Sequence, residues 1–371
     1  MTLTQEIHSF FSADYKAARS IFLNMSNEVG GVTTSYKHPK RGRYREDLYT
    51  DVTVVGPKDS RCVLLIQSGT HGVEGFCGSA IQTSVMQAVI HGALKLRTDT
   101  AIVFVHAINP HGFSWCSRTN EDNIDLNRNF INFDAQEEKR NSLFQEIEPY
   151  LVPNKWTDTA IAESDRHLEA LNDKYGHELI SQSLRKGQYD YPQSLFYGGR
   201  EPSWSRALVA RICKEHLELA DKILFLDIHS GLGDFAELKL LSVDQESSQN
   251  FNILNGIYGG AVISTANKQS GAANSGGHII RGYSEHMHDK RFIGMALEFG
   301  TYEQSRVQLA LRADTSNRFF PNTSECSETL NRNVKDEMLE AFCPSAPSWR
   351  SSILSQGTPA CQKALEEISN I

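Results

Sequence analysis

The stretch RCVLLIQSGTHGVEGFCGS, Arg61 to Ser79, decides the fold. Its opening half, RCVLLIQ, is an almost unbroken apolar run, as expected of a strand covered on both faces of a sheet. A glycine-rich turn follows, and from Glu74 to Leu96 apolar residues recur at helical spacing. Ala101 to Ala107, AIVFVHA, is a second apolar run. Strand, helix, strand in that order is the βαβ unit of an α/β fold with a largely parallel sheet. Further buried strands are predicted at Ile223 to Ile228 and at Ile293 to Phe299, and YREDLYTDVTVVG, 44 to 56, alternates with the period of a strand.

Moving outward, residues 4 to 26 carry Ile7, Phe10, Phe11, Tyr15, Ala18, Ile21 and Phe22 at helical spacing and predict an amphipathic opening helix. Residues after 302 return to helical spacing. Between the strands lies a helix-rich segment, about 134 to 220, which includes GQYDYPQSLFYGGREPSWS. It is too poor in apolar residues for a core of its own, so it reads as an excursion from one domain spanning 1 to 371.

The bulk composition excludes several classes. Hydrophobic residues make up 40% of the 371, enough for a packed core. A net charge of -8 gives no footprint for nucleic acid or an anionic membrane. No apolar run approaches the roughly 20 residues that span a bilayer. The start, MTLTQEIHSFFSADYK, has no apolar segment of the signal-peptide kind. The seven cysteines are scattered without C-x-x-C spacing, which argues against disulfides and thiolate metal sites and points to small buried side chains in a reducing cytoplasm.

Four pieces carry chemistry. His71 and Glu74 follow a strand end, where open α/β sheets place ligands. Their spacing lets both side chains converge on one ion as the chain turns into a helix, and Gly69, Gly72 and Gly75 permit a tight turn. LFLDIHSGLG, 224 to 233, repeats the pattern with His229, either a third metal ligand or a buried, hydrogen-bonded histidine. Asp227, two residues earlier, shares its face and could orient it. AINPHGFSWCSRTNEDNIDLNRNF, 107 to 130, offers Arg118, Asn127 and Arg128. Its arginines either clamp a carboxylate or oxyanion, or pair locally with Asp122 and Asp125. In GMALEFGTY, 294 to 302, Glu298 sits in an apolar strand and needs a partner: a metal-activated water, for which it would be the general base, or an arginine. Of the remaining histidines, His111 is expected to line the cleft, while His286 and His288 form an H-x-H pair with polar flanks that reads as surface; His106 lies in the same loop region as His111.

In this order, H-x-x-E, R…D-x-N-R, a strand-end His and a strand-end Glu resemble the zinc carboxypeptidase superfamily. GQYDYPQSLFYGG, HSGLG and LEFGTY resemble a bacterial branch of it labelled as a domain of unknown function. The resemblance implies a three-layer αβα sandwich around a mixed, mostly parallel sheet of about eight strands. It implies one zinc ion held by His71, Glu74 and His229, with Arg118 polarising the scissile carbonyl. Asn127 and Arg128 would bind the substrate's carboxylate, and Glu298 would be the catalytic glutamate. Tyr283 and Tyr302 are the candidates for the tyrosine that covers substrate in that superfamily, and neither matches securely. The expected function is hydrolysis of an amide or peptide bond next to a free carboxylate. The literal DLNR at 125 to 128 fits N-acyl amino acid amidohydrolases of the aspartoacylase and succinylglutamate desuccinylase kind equally well. A zinc-binding protein without turnover is the alternative from another class. The expected partner is a small peptide or acyl amino acid.

Overall fold

The computed structural model describes residue 7 and residues 9–135, 139–266, 277–321 and 327–371. Its strands are β1 (Val32–Arg41), β2 (Asp47–Val55), β3 (Cys62–Gln67), β4 (Thr100–His106), β5 (Lys222–Ser230), β6 (Leu238–Ser242), β7 (Val262–Ser264) and β8 (Arg291–Phe299). They form one eight-stranded sheet in the order β1-β2-β4-β3-β5-β8-β6-β7. The central strands β4, β3, β5 and β8 run parallel, while β2 and β6 flank them antiparallel. The strand order reverses at β3: the chain steps to β4 on one side, then returns to lay β5 and β8 on the other. Ligand crevices of open α/β sheets lie outside the carboxyl ends of strands at such a switch point.

Alternation along the central strands makes two cores. Leu64, Ile66, Leu224, Leu226, Ile293 and Met295 face one layer, which includes helices Tyr15–Glu28, Gly75–Ile90 and Pro347–Glu367. Val63, Leu65, Ile223, Phe225 and Phe292 face the other, covered by Trp204–Ile212 and Ile279–His286. The architecture is therefore the three-layer αβα sandwich with a mixed, mostly parallel sheet. Among the described residues no helix is long and apolar enough to cross a membrane.

Two expectations change. The predicted opening helix is not continuous: Phe11 to Asp14 are not helical, and the Asp14 carboxylate accepts from Ala17 N–H at 2.8 Å to cap a new helix at Tyr15. Residues 4 to 6 and 8 of that prediction lie outside the described residues. The excursion also has a small core after all. Its amphipathic helices Ser142–Leu151, Asp158–Tyr175 and His177–Lys186 pool their apolar stripes, burying Phe144, Ile147, Leu151 and Ile180. Val152 and Phe196 join this cluster to the main core. The six described cysteines are all free and buried; Cys326 lies outside the described residues.

Candidate functional site

After β3 the backbone turns sharply. Gly69 takes φ +69°, where a Cβ would meet the Ala107 Cβ at 2.7 Å. A Cβ at Gly72 would lie 2.0 Å from the Gly112 backbone. His71 precedes a 3-10 turn, Gly72–Glu74, that leads into helix Gly75–Ile90. Gly72 N–H and Val73 N–H donate to the carbonyls of Arg118 and Ser117, each at 3.0 Å. The turn bearing His71 and Glu74 is thus tied to the loop bearing Arg118. Sheet register brings in the rest. Gln67 pairs with Asp227, and His229 pairs with Glu298. The period-two alternation of strands puts these four side chains on one face.

His71, Glu74 and His229 converge, with one ligand atom from each lying within 4.8 Å of the others. His71 Nδ1 is 2.8 Å from Glu74 Oε1, and His229 Nδ1 is 2.8 Å from Glu74 Oε2. A second carboxylate stands behind each ring: Asp227 Oδ2 is 2.7 Å from His229 Nε2, and Asp125 Oδ1 is 3.3 Å from His71 Nε2. Metal-ligating histidines characteristically have a carboxylate on the far nitrogen, which fixes the tautomer and leaves the near nitrogen for the ion. The donor set therefore fits a divalent metal. Asp227 is held in turn by Thr70 Oγ1 at 2.8 Å and Gln67 Nε2 at 3.2 Å, and Gln67 Oε1 accepts from Tyr283 Oη at 2.8 Å.

The electrostatics separate two glutamates. Burial works against the Glu74 carboxylate, but the charge of His71 and the hydrogen bonds of both histidines outweigh it and hold its carboxyl at about 2. Burial and then the charge of Glu74 push the Glu298 carboxyl up to about 8. For His229, the charge and hydrogen bond of Asp227 overcome burial and raise the imidazole well above its ordinary value.

The seven residues to which the resemblance gives roles all line one cavity of about 280 Å³: His71, Glu74, Arg118, Asn127, Arg128, His229 and Glu298. Arg118 Nε donates to Asp125 Oδ2 at 3.1 Å, and Arg118 Nη1 lies 3.6 Å from Glu74 Oε1. Asn127 Oδ1 accepts from Ile279 N–H at 3.1 Å, and Arg128 Nη1 donates to the Asn127 carbonyl at 3.0 Å. Leu232 N–H donates to Glu298 Oε1 at 3.1 Å.

Other candidates go elsewhere. His111 does not line this cavity; it stacks on Trp115, because helix Pro110–Ser114 turns it away. His106 is buried against Phe22 and Ser79 in the opposite layer, where burial lowers its imidazole to about 4. His286 and His288 lie at and just beyond the end of helix Ile279–His286, away from the cavity. Tyr283 is fully buried in the Gln67 network, and Tyr302 bonds Glu340, so neither lines the cavity. The sequence reading offered Asp125 as a local partner of the arginines, which holds for Arg118, but missed its contact with His71. It also missed His278, which caps helix Ile279–His286 and lines the cavity, its imidazole lowered to about 3 by burial and the charge of His229. Nothing local in the sequence marks His278.

Fold and site together define an α/β chain of carboxypeptidase-like architecture with a buried His–Glu–His group able to hold a metal. Among solved structures it is similar to bovine thrombin-activatable fibrinolysis inhibitor, with a TM-score of 0.50 and 12% identity over 97% of this chain and 98% of that one. Carboxypeptidase A from Helicoverpa armigera gives 0.48 and 13%, over 89% and 74%. An aspartoacylase family protein from Mesorhizobium loti gives 0.36 and 14%, over 77% and 67%. At 12% identity the first of these is a likeness of fold alone. Residues 11–356 match the family described as "Protein of unknown function (DUF2817)", and the chain belongs to that family. No curated protein matches.

Proposed function

We propose that this chain is a zinc-dependent hydrolase that cleaves an amide bond next to a free carboxylate. The observation that carries the reading is the convergence of His71, Glu74 and His229 in the cavity that Arg118 and Glu298 also line. Two imidazoles and a carboxylate, leaving a further position for water, are the ligand set of a catalytic zinc centre. Zinc held there would supply a Lewis acid and bring the pKa of water toward about 7.

The chain's own groups account for the remainder. Glu298 takes the proton from the attacking water as the C–O bond forms, and delivers it to the amine nitrogen as the C–N bond breaks. Burial and the charge of Glu74 raise its carboxyl, and a cation bound beside it would favour the ionised form that a base needs. Arg118, fixed by Asp125, donates to the oxyanion that develops on the carbonyl. Asn127 and Arg128 hold the substrate's carboxylate and so set the position of the adjacent amide.

The cavity's size favours small substrates. About 280 Å³ falls just below the roughly 300–1,000 Å³ usual for ligand pockets. An N-acyl amino acid fits this as well as a short peptide. Hydrolysis of a panel of N-acyl amino acids and of di- and tripeptides, each with its C-terminally amidated counterpart, tests the reading. We expect turnover of free-carboxylate substrates and at least a tenfold loss on amidation, roughly 1.4 kcal/mol for a lost charged contact. Equal turnover of amidated substrates would remove the carboxylate from the account.

A further inference from the structure

Beside the cavity that holds the proposed chemistry lies a second one of about 330 Å³. The two share Ser181, Leu184, Phe196, Gln308 and Leu311, so they are neighbours across a common wall. The second cavity is set in the apolar cluster of the excursion: Leu151, Ile180 and Leu195 are buried, and Leu168 is partly so. His177 and Glu178 are exposed at its rim. The wall also carries Asn172, Ser181, Gln308 and Arg312, so the space is room for a ligand group whose apolar part lies against the leucines, Ile180 and Phe196.

Phe196 stands at the junction. Its φ is +57°, a left-handed backbone that a bulky residue rarely adopts. The conformation is held in place: Gln188 N–H donates to the Phe196 carbonyl at 3.1 Å, and Gln188 Nε2 donates to the Leu195 carbonyl at 3.1 Å. Strain maintained by its surroundings clusters at ligand clamps. The Phe196 ring faces the Arg118 guanidinium at 6.0 Å.

We propose that the second cavity is a subsite for an apolar group on the acyl side of the scissile amide. The substrate is then a carboxylate-bearing amide whose acyl part is an extended aliphatic chain or carries an aromatic ring. The assignment to the acyl side rests on the hydrolase reading, in which Arg118 marks the carbonyl. The five residues the two cavities share place an occupant of the second beside the acyl side of a substrate in the first.

The test uses one amino acid N-acylated with chains from acetyl to dodecanoyl, and two variants that fill only the second cavity, Leu168→Trp and Asn172→Phe. In the zinc-loaded protein, kcat/KM should rise with chain length by up to about fourfold per buried methylene, then level off. Either variant should abolish the rise and leave the acetyl substrate's turnover unchanged, which also shows that the variant is folded. Calorimetry in the Glu298→Gln background reads the same series as affinity, independently of turnover. Length-dependent binding that either filling variant removes supports the subsite even if no member is hydrolysed, in which case only the hydrolase reading falls. Hydrolysis and binding that ignore chain length in the wild type, or a chain-length dependence that both filled variants keep, would overturn the subsite and leave the hydrolase reading standing.

Discussion

The carboxyl edge of the sheet and the helical excursion at 134–220 are built on different terms. At the sheet edge the histidines and Arg118 are each held by a buried carboxylate. Asp227 and Gln67 are fully buried, and between them they tie Thr70, Tyr283 and His229 together. Asp125 touches both His71 and Arg118. The excursion's three helices between 142 and 186 are tied more loosely. Helix Asp158–Tyr175 buries only Ser164, and the ion pairs Lys174–Glu146 and Arg185–Glu178 involve exposed glutamates. Exposed pairs of that kind contribute about 0–1 kcal/mol. One buried anchor, Arg312, reaches in from helix Gln304–Phe319 to the Leu151 carbonyl, Ser164 and Asp165. The difference teaches a division of labour. Reacting groups sit where packing over-determines them, and the cavity wall is supplied by helices that can change without disturbing them.

The two regions should therefore answer mutation differently, and the sheet edge should answer most strongly. Glu298→Gln keeps the side chain's shape and the bond from Leu232 N–H but removes the base. Turnover should fall by roughly two to four powers of ten with bound zinc unchanged. Steady-state kinetics beside metal analysis checks this, and undiminished turnover would take Glu298 out of the chemistry.

Next in size is Asp227→Asn, which keeps the volume behind His229 and removes the charge. Zinc affinity should weaken by about 10- to 100-fold, read by competition with a chelator. An unchanged affinity would make the Asp227–His229 contact merely structural.

The smallest effect is on stability. In the metal-free protein the Glu298 carboxyl holds its proton up to about pH 8, whereas in the unfolded chain it releases it near about 4.3. Between those limits the folded state binds more protons, so this group makes the wild type lose stability as pH rises. Gln does not titrate. Glu298→Gln should therefore melt a few degrees higher than wild type at pH 8 after chelation, with the gain fading toward pH 4. A gain that is the same at both pH values would mean that the carboxyl is not perturbed.

Much of the sheet edge was legible in the sequence. β3, β4, β5 and β8 are apolar runs buried on both faces, and strand ends flagged by His71, His229 and Glu298 are local patterns. β1 was not legible, because an edge strand with mostly exposed residues has no apolar alternation to read. Nor were β6 and β7, only five and three residues long. In the loop at 107–130 the two readings of the arginines turned out not to be alternatives for Arg118. Its local pairing with Asp125 is what aims it into the cavity. His278 and Phe196 reach the cavity through tertiary placement alone, and nothing in their own neighbourhoods announces it. The wall formed by the excursion is invisible for the same reason: helical periodicity shows which stripe is apolar but not what it faces.

The central claim is that His71, Glu74 and His229 hold a single zinc ion. Its most direct test is elemental analysis of the purified protein and of His71→Ala and His229→Ala. The account predicts one zinc per chain in the wild type and none in either variant, with circular dichroism unchanged. Full zinc occupancy in His71→Ala, or a wild type that takes up no zinc when supplied with it, would contradict the account.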